Sequence, residues 1–272
     1  MQTTLIIGKN SNLSISLSKI LENCEVISSR EILSDVEILS KYKNLNINII
    51  LNNFQPAVQL NNLSSSSDYI NSAIMVTAKV LDYFKETNIN KIIYTSSSSV
   101  YGNNILCNES DVLKPLNLHA SLKVANEKLI EKFCTEKKID YTIARIFNMY
   151  GGNDIFSIIS KIISAVKYQE ELTIVNSGNA IRDFIYIDDV VKIYTILLKI
   201  EDVKVLNIGT GNGVSIKTIL DMLKNSAIEL KTKNIFRNEL KISTADNSLL
   251  LAKLGSYEFQ DIEEYLKKKL EI

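Results

Sequence analysis

The chain has 272 residues, enough to bury the core of one large α/β domain or of a domain and a half. Lysine and arginine together number 31, as do aspartate and glutamate, so the charge predicts neither a nucleic-acid partner nor an anionic membrane surface. The three cysteines lack metal-ligand spacing, and the sequence shows neither a signal-like N-terminus nor an apolar run of about 18 residues. These features argue against a disulfide framework, a metal site and a membrane span, and they predict a soluble, cytoplasmic protein.

The first predicted element is a buried strand at residues 3–7, an apolar run that ends at Gly8. Leu13, Leu17 and Leu21 follow at helical spacing and predict a helix with one apolar face. A strand, a glycine turn and a helix form the unit in which a dinucleotide pyrophosphate meets a helix N-terminus. Taken alone, this turn also fits an ordinary strand–helix connection.

A second short strand is predicted at residues 25–27, and Arg30 follows it after two serines. An acidic residue here would bind the ribose 2′-hydroxyl of NAD, whereas serine and arginine suit the 2′-phosphate of NADP. The sequence therefore favours NADP over NAD if a dinucleotide binds, although a solvated loop arginine explains Arg30 equally well. Next come a third strand at residues 47–51, a polar stretch at 61–67 that is predicted as loop, and a helix with an apolar stripe at 68–87.

The stretch most indicative of chemistry begins with a short apolar strand at residues 91–95, which ends in four serines at 96–99. In an α/β sheet the carboxyl ends of the strands face the ligand crevice, so these hydroxyls are placed to reach a bound substrate. After a loop, His119 and Lys123 lie four residues apart on a predicted helix and therefore share one face. A hydroxyl, a proton-transfer group and an ammonium group in this arrangement indicate a site for carbonyl and alcohol chemistry.

Two further motifs carry polar residues. Residues 140–151 read as a strand that ends at Asn148, and the segment RDFIYIDDV at 182–190 begins with Arg182. The guanidinium of an arginine suits a phosphate group. In isolation, however, an Arg-Asp pair is more typical of a solvated surface.

Four motifs carry a resemblance to a known family: SSSSVYG at 96–102, HASLK at 119–123, RIFNMYG at 145–151 and RDFIYIDDV at 182–190. They resemble the NAD-dependent epimerase/dehydratase family, extended short-chain dehydrogenases/reductases that act on nucleotide sugars in surface-polysaccharide synthesis. The resemblance covers nearly the whole chain and is strongest at residues 88–215. It implies an α/β fold, a doubly wound parallel Rossmann-type sheet with a smaller C-terminal substrate-binding region.

The resemblance also implies how the chain is divided. Residues 1–152 would form the dinucleotide-binding domain, to which residues 181–208 would return. Residues 153–180 and 209–272 would form the substrate-binding region. Family members pair two helices from each copy into a four-helix bundle, so a homodimer is expected.

The catalytic residues that the resemblance implies are Ser97, His119 and Lys123. In the family a serine or threonine, here Ser97, hydrogen-bonds the sugar oxygen, and a tyrosine exchanges the proton. A lysine, here Lys123, lowers the pKa of that tyrosine and holds the nicotinamide ribose. His119 occupies the tyrosine position. Asn148 would hydrogen-bond the nucleotide sugar and Arg182 would grip its diphosphate, so Ser97, Asn148 and Arg182 form the expected substrate site.

The cofactor loop of the family carries the pattern GxxGxxG, which falls on Gly8, Ser11 and Ser14. We expect strain at the two serines if the turn needs a positive φ there, because only glycine adopts it readily. With Arg30 and the catalytic lysine, these residues form the predicted site for NADP or NAD. Phe54 stands where family members have a small residue, and we expect it to crowd the cofactor.

Ser98 and Ser99 replace an Asp-Glu pair that family dehydratases use, which disfavours a 4,6-dehydratase and leaves C4 epimerisation, ketoreduction or no redox chemistry. His119 is able to carry the proton, since a free imidazole titrates at about pH 6.5. A neighbouring Lys123 ammonium would favour its neutral, basic form. Two alternatives stay open: Tyr101 supplies the proton, or the fold persists as a catalytically silent protein that binds a nucleotide sugar or a dinucleotide.

Overall fold

The computed structural model describes residues 2–53 and 66–272 and shows a mostly parallel α/β protein. Phe54, and residues 61–65 of the predicted loop, lie outside the described residues, whereas residues 66–67 belong to a helix. Within the described ranges, no helix combines the length and the apolar character that a membrane crossing requires.

The strands are β1 (Thr3–Ile7), β2 (Cys24–Ile27), β3 (Ile47–Leu51), β4 (Ile89–Ser97), β5 (Leu106–Cys107), β6 (Asp140–Ile146), β7 (Asn148–Tyr150), β8 (Leu172–Val175), β9 (Ile181–Tyr186), β10 (Val205–Ile208), β11 (Gly213–Ser215), β12 (Thr232–Ile235) and β13 (Ile242–Ala245). The α-helices are α1 (Asn12–Ser18), α2 (Ser29–Ser34), α3 (Ser66–Ile70), α4 (Val76–Tyr83), α5 (Leu118–Lys137), α6 (Ile158–Tyr168), α7 (Ile187–Leu197), α8 (Ile216–Asn225), α9 (Ser248–Leu254) and α10 (Ile262–Leu270). Short 3₁₀ or π segments are Val36–Tyr42, Asn71–Met75, Ser98–Tyr101 and Asn176–Gly178.

The main sheet has the strand order β10-β6-β4-β3-β1-β2. Strand β1 pairs in parallel with both β2 and β3, and β3 pairs in parallel with β4. The chain moves from β1 outward to β2 and then returns to the other side of β1 with β3, so the direction of winding reverses between β1 and β3. In this class of fold, ligands bind outside the carboxyl ends of the strands at such a switch point. The predicted doubly wound, parallel sheet is therefore confirmed.

The first of two compact units consists of Met1–Val100, Pro115–Arg145 and Val191–Leu206. Its core is built from β-branched and other aliphatic side chains of the main sheet, among them Ile49 and Ile92, which are both fully buried. Such residues favour strands because their stiff side chains pack well on a pleated surface.

The second unit consists of Tyr101–Lys114, Ile146–Val190 and Asn207–Ile272. It contains a sheet in the order β11-β9-β13-β5, with β7 also paired to β9, and a separate β12-β8 pair. Its apolar core includes Tyr150 and Tyr265, whose rings pack edge to face with centroids 4.9 Å apart.

The boundaries of these compact units differ from those of the functional regions that the family resemblance implied, and the division into functional regions stays a prediction. Residues 101–114 and 146–152 were predicted to belong with the dinucleotide-binding residues, and they lie in the second unit. Of the predicted return at 181–208, only residues 191–206 lie in the first unit. The difference arises because β5, β7 and β9 pair with strands of the second sheet and not with the main sheet.

A buried carboxylate organises the second unit. The Oδ1 atom of Asp183 accepts hydrogen bonds from the backbone N–H and the hydroxyl of Thr210, both at 2.8 Å. Its Oδ2 atom accepts from the backbone N–H of Gly211 at 2.9 Å and of Ala245 at 3.1 Å. Burial raises the pKa of Asp183, and the hydrogen bonds to Thr210 oppose that shift. One side chain on β9 thus joins the turn after β10 to the end of β13.

We expect Asp183→Ala to lower the free energy of unfolding by about 3 kcal/mol or more, because it leaves several buried N–H groups without an acceptor. The matched control is Asp221→Ala, at an exposed position of α8, for which we expect a change within about 0.5 kcal/mol. Urea unfolding followed by circular dichroism measures both. Equal stability of the two variants would contradict the structural role of Asp183.

Candidate functional site

The carboxyl end of β4 and the first turns of α5 bring predicted site residues together in the first unit. Ser97 is the last residue of β4, and the ammonium group of Lys123 donates a hydrogen bond to the carbonyl oxygen of Thr95 at 2.6 Å. The same Nζ atom lies 5.1 Å from the centroid of the Tyr94 ring. Lys123 is therefore fixed beside the strand end that carries Ser97.

Burial changes the protonation of this lysine. Lys123 is only 5% exposed, and burial lowers its pKa to about 7, while the negative charge of Glu127 opposes the shift. A pKa of about 7 allows the uncharged amine to form near neutral pH, and the amine would act less strongly on His119 than the expected ammonium.

His119 is the second residue of α5 and is half-buried. The helix begins where the side chain of Asn117 caps it, accepting a hydrogen bond from the backbone N–H of Ala120 at 2.9 Å. His119 therefore lies one helical turn before Lys123 on the same face of α5. Ser97 is also half-buried, and its Oγ atom accepts a hydrogen bond from the backbone N–H of Ser99 at 3.2 Å.

A network that the sequence analysis missed lies one turn further along α5. The buried carboxylate of Glu127 accepts from Nη2 of Arg145 at 2.8 Å and from its Nε at 3.2 Å, and it also accepts from the hydroxyl of Ser96. The spacing of four residues from Lys123 was the available signal, since it places Glu127 on the same face of the helix.

The glycine turn is held by a residue from the neighbouring strand. Gly8 has a φ of +118°, and a Cβ atom there would collide with the carbonyl oxygen of Asn52. Nδ2 of Asn52 donates to the hydroxyl of Ser11 at 2.7 Å and to that of Ser14 at 2.9 Å. Ser11 has a φ of −71° and Ser14 lies within α1, so the strain expected at the two serines is absent. The close backbone approach that only glycine permits is retained, and the residues fit a dinucleotide turn in this respect.

Arg30 is exposed on the first turn of α2, directly after β2. The position just beyond the second strand is the one that contacts the adenine ribose in dinucleotide-binding folds. The guanidinium is thus accessible to a ligand.

The remaining substrate residues lie in the second unit, where β7 pairs with β9. Asn148 donates from Nδ2 to the backbone carbonyl of Asp183 at 3.2 Å. Arg182 directly precedes Asp183. Its guanidinium contacts Glu239 at 3.3 Å and the carbonyl oxygen of Ile181 at 2.9 Å. Partial burial lowers the pKa of Arg182, and Glu239 counteracts this effect.

Tyr101 has a structural environment. Its side chain is fully buried and its hydroxyl donates to Oδ1 of Asn207 at 2.7 Å. Nδ2 of Asn207 in turn donates to the carbonyl oxygen of Cys107 at 2.7 Å. This geometry supports a role in packing the second unit and gives no support to Tyr101 as the proton carrier.

The fold and the site together define a Rossmann-type protein with a short-chain dehydrogenase arrangement of hydroxyl and lysine. The model of the NAD dependent epimerase/dehydratase family matches residues 31–209. The chain belongs to the NAD-dependent epimerase/dehydratase family, and the family resemblance is confirmed. The match begins after the glycine turn.

Several relatives share part of this sequence. A protein of Methanocaldococcus jannaschii described as uncharacterized is 29% identical over 241 residues, spanning 85% of this chain and 74% of that protein. A dTDP-D-glucose 4,6-dehydratase of Dictyostelium discoideum is 27% identical, spanning 62% of this chain and 42% of the relative. Protein CapI of Staphylococcus aureus is 28% identical, spanning 61% of this chain and 57% of the relative. The chain therefore covers less than two thirds of the length of the latter two.

Solved structures share the fold over the whole chain. A UDP-N-acetylglucosamine 4-epimerase from Methanobrevibacter ruminantium, in complex with UDP-N-acetylmuramic acid, has a TM-score of 0.86 at 22% identity, covering 99% of this chain and 97% of that one. A UDP-glucuronic acid 4-epimerase from Bacillus cereus, in complex with UDP-glucuronic acid and NAD, has a TM-score of 0.85 at 21% identity, covering 100% and 98%. At such identities the likeness shows a common fold.

The buried lysine predicts a pH dependence of stability. The pKa of Lys123 falls from 10.5 to about 7 on folding, so between these values the unfolded chain holds the proton and the folded chain does not. The stability of the parent relative to Lys123→Met should therefore rise with pH across this window, by up to about tenfold in the folding equilibrium constant per pH unit, and should be level below it.

Urea unfolding of both proteins at several pH values measures this difference. Lys128→Met, on the exposed face of α5, is the matched control. The lowered pKa of Lys123 would be contradicted if the control showed a pH slope of the same size. It would also be contradicted if the stability difference between the parent and Lys123→Met did not change with pH.

Proposed function

We propose that this protein is an NAD(P)-dependent oxidoreductase or epimerase that acts at C4 of a nucleotide-linked sugar in surface-polysaccharide synthesis. The observation that carries the proposal is the bond from Lys123 to the carbonyl of Thr95, two residues before Ser97, with His119 one turn earlier on the same helix. The adjoining elements β4 and α5 thus carry a hydroxyl, an imidazole and a buried amine. A bound nicotinamide would supply the hydride acceptor and donor.

The chain's own residues would bind, orient and move a proton. Ser97 accepts a hydrogen bond from a backbone N–H and keeps its own O–H for the sugar oxygen. Neutral His119 would take the proton from the C4 hydroxyl as that carbon is oxidised, and the imidazolium would return it on reduction. Lys123 would hold the nicotinamide ribose, and its amine is directed by the Thr95 carbonyl.

The nucleotide sugar is the expected substrate class. Asn148 and Arg182 lie on paired strands of the second unit, and an arginine is suited to a diphosphate. UDP-sugars are bound by the two epimerases to which the fold is similar. The homodimer and the cytoplasmic location remain predictions.

We expect His119→Ala to lower kcat by at least about 100-fold and to leave dinucleotide affinity unchanged, because it removes the proton carrier and no part of the cofactor turn. Ser121→Ala, at an exposed position of the same helix, is the matched control and should retain kcat. Single-turnover assays with UDP- and dTDP-sugars, together with calorimetric binding of NAD(H) and NADP(H), measure both quantities.

An unchanged kcat in His119→Ala would exclude His119 as the proton carrier. A parent protein that binds a dinucleotide or a nucleotide sugar and turns over none of these sugars would instead support the catalytically silent binding protein.

The cofactor preference rests on Arg30, which is exposed directly after β2. We propose that NADP(H) binds more tightly than NAD(H), because the guanidinium would pair with the 2′-phosphate. Arg30→Ala should weaken NADPH binding by about tenfold and leave NADH binding within about twofold, since an exposed charge-assisted contact contributes modestly. Tighter binding of NADH than of NADPH by the parent would contradict this preference.

A further inference from the structure

We propose that Asn52 is a positioning residue for dinucleotide binding, which holds the β1–α1 turn in its binding shape through the hydroxyls of Ser11 and Ser14. The inference rests on the proposed function, because it concerns the turn that would receive the dinucleotide. It assigns a binding role to a residue outside the glycine pattern.

Asn52 connects to the turn at three points. Its backbone N–H donates to the carbonyl oxygen of Ile7 at 2.9 Å, which extends the β1–β3 ladder by one step. Its carbonyl oxygen lies against Gly8, at the place that a Cβ atom would occupy. Its side chain, which is only 8% exposed, donates to Ser11 and Ser14.

The position of Asn52 in the sheet relates these contacts to ligand binding. Asn52 directly follows β3, and Gly8 directly follows β1, so the two residues flank the point at which the winding of the sheet reverses. Ligands of doubly wound folds bind outside this point. A change in the Asn52 side chain would thus act on the turn from the adjoining strand end.

The donor and acceptor pattern fixes the direction of the serine protons. A side-chain amide nitrogen only donates, and both of its hydrogens are used here, one for each serine. Each serine oxygen therefore accepts from Asn52 and keeps its own hydrogen for a different acceptor. Ser14 is fully buried, whereas Ser11 is half-buried, so the Ser11 hydroxyl is the one able to donate to a bound anionic group. Glycines at these positions would offer no such donor.

The test compares dinucleotide affinity, by calorimetry with NADH and NADPH, in Asn52→Ala, Asn52→Asp and a matched control. The control is Asn48→Ala, which removes a buried asparagine near the opposite end of β3, where its side chain accepts from Gln2 and Asn90. Thermal unfolding midpoints are measured alongside, because both alanine variants lose buried hydrogen bonds.

We expect Asn52→Ala to weaken dinucleotide binding by about tenfold and Asn48→Ala to change it by less than about twofold, at comparable losses of thermal stability. Asn52→Asp keeps the shape of the side chain and can still hydrogen-bond both serines. A carboxylate only accepts, however, so both serine hydroxyls would donate to it, and its negative charge would lie beside the turn. We expect it to fold like the parent and to bind dinucleotide more weakly than Asn52→Ala.

A double-mutant cycle shows whether the effect passes through the serines. In the Ser11→Gly, Ser14→Gly background, Asn52→Ala should have little further effect on affinity. Three outcomes would each overturn the positioning role and leave the proposed function standing. They are an equal loss of affinity from Asn52→Ala in both backgrounds, an equal loss of affinity in Asn48→Ala, and unchanged dinucleotide binding in Asn52→Ala. A parent that binds neither dinucleotide would overturn the proposed function and this role with it.

Discussion

The carboxylate of Glu127 joins one helix to two strands, and the geometry of the candidate site depends on that junction. Arg145 on β6 and Ser96 on β4 both donate to it, and the side chains of the ion pair are 2% and 6% exposed. Removing one member of such a buried pair typically costs about 3–5 kcal/mol, because the other charge is left without compensation. Since Lys123 lies one turn earlier on α5, its distance from the end of β4 follows from where Glu127 is held.

The sequence was sufficient to predict the elements that carry the site. The strand predicted at residues 91–95 is part of β4, which extends from Ile89 to Ser97, and Lys123 lies on a helix as predicted, because the apolar run and the helical spacing are local signals. The role of Asn52 was not predictable, since its partners Ser11 and Ser14 lie 41 and 38 residues away and no periodicity links them. The expectation of strain at the two serines was wrong for the same reason. It was inferred from the glycine pattern alone, without knowledge of the Asn52 side chain that hydrogen-bonds both serines.

The second unit depends on contacts between residues that are distant in sequence, as its polar centre shows. Asp183 and Asn207 are both fully buried and hydrogen-bond backbone groups of segments that are distant in sequence. A two-residue strand such as β5 has no hydrophobic pattern of its own, and it exists because β13 and the side chain of Asn207 satisfy its backbone. Such pairings determine the unit boundaries, which local sequence signals do not reveal.

The chain passes between the two units five times, after residues 100, 114, 145, 190 and 206. Neither unit is therefore a contiguous piece of polypeptide, and no single cut releases one of them intact. A gene fragment that encodes only the first half of the chain would lack the strand β10 that completes the main sheet. In evolutionary terms, this interleaving means that the unit with Lys123 and the unit with Arg182 are inherited together, because no single recombination point exchanges one of them as a whole.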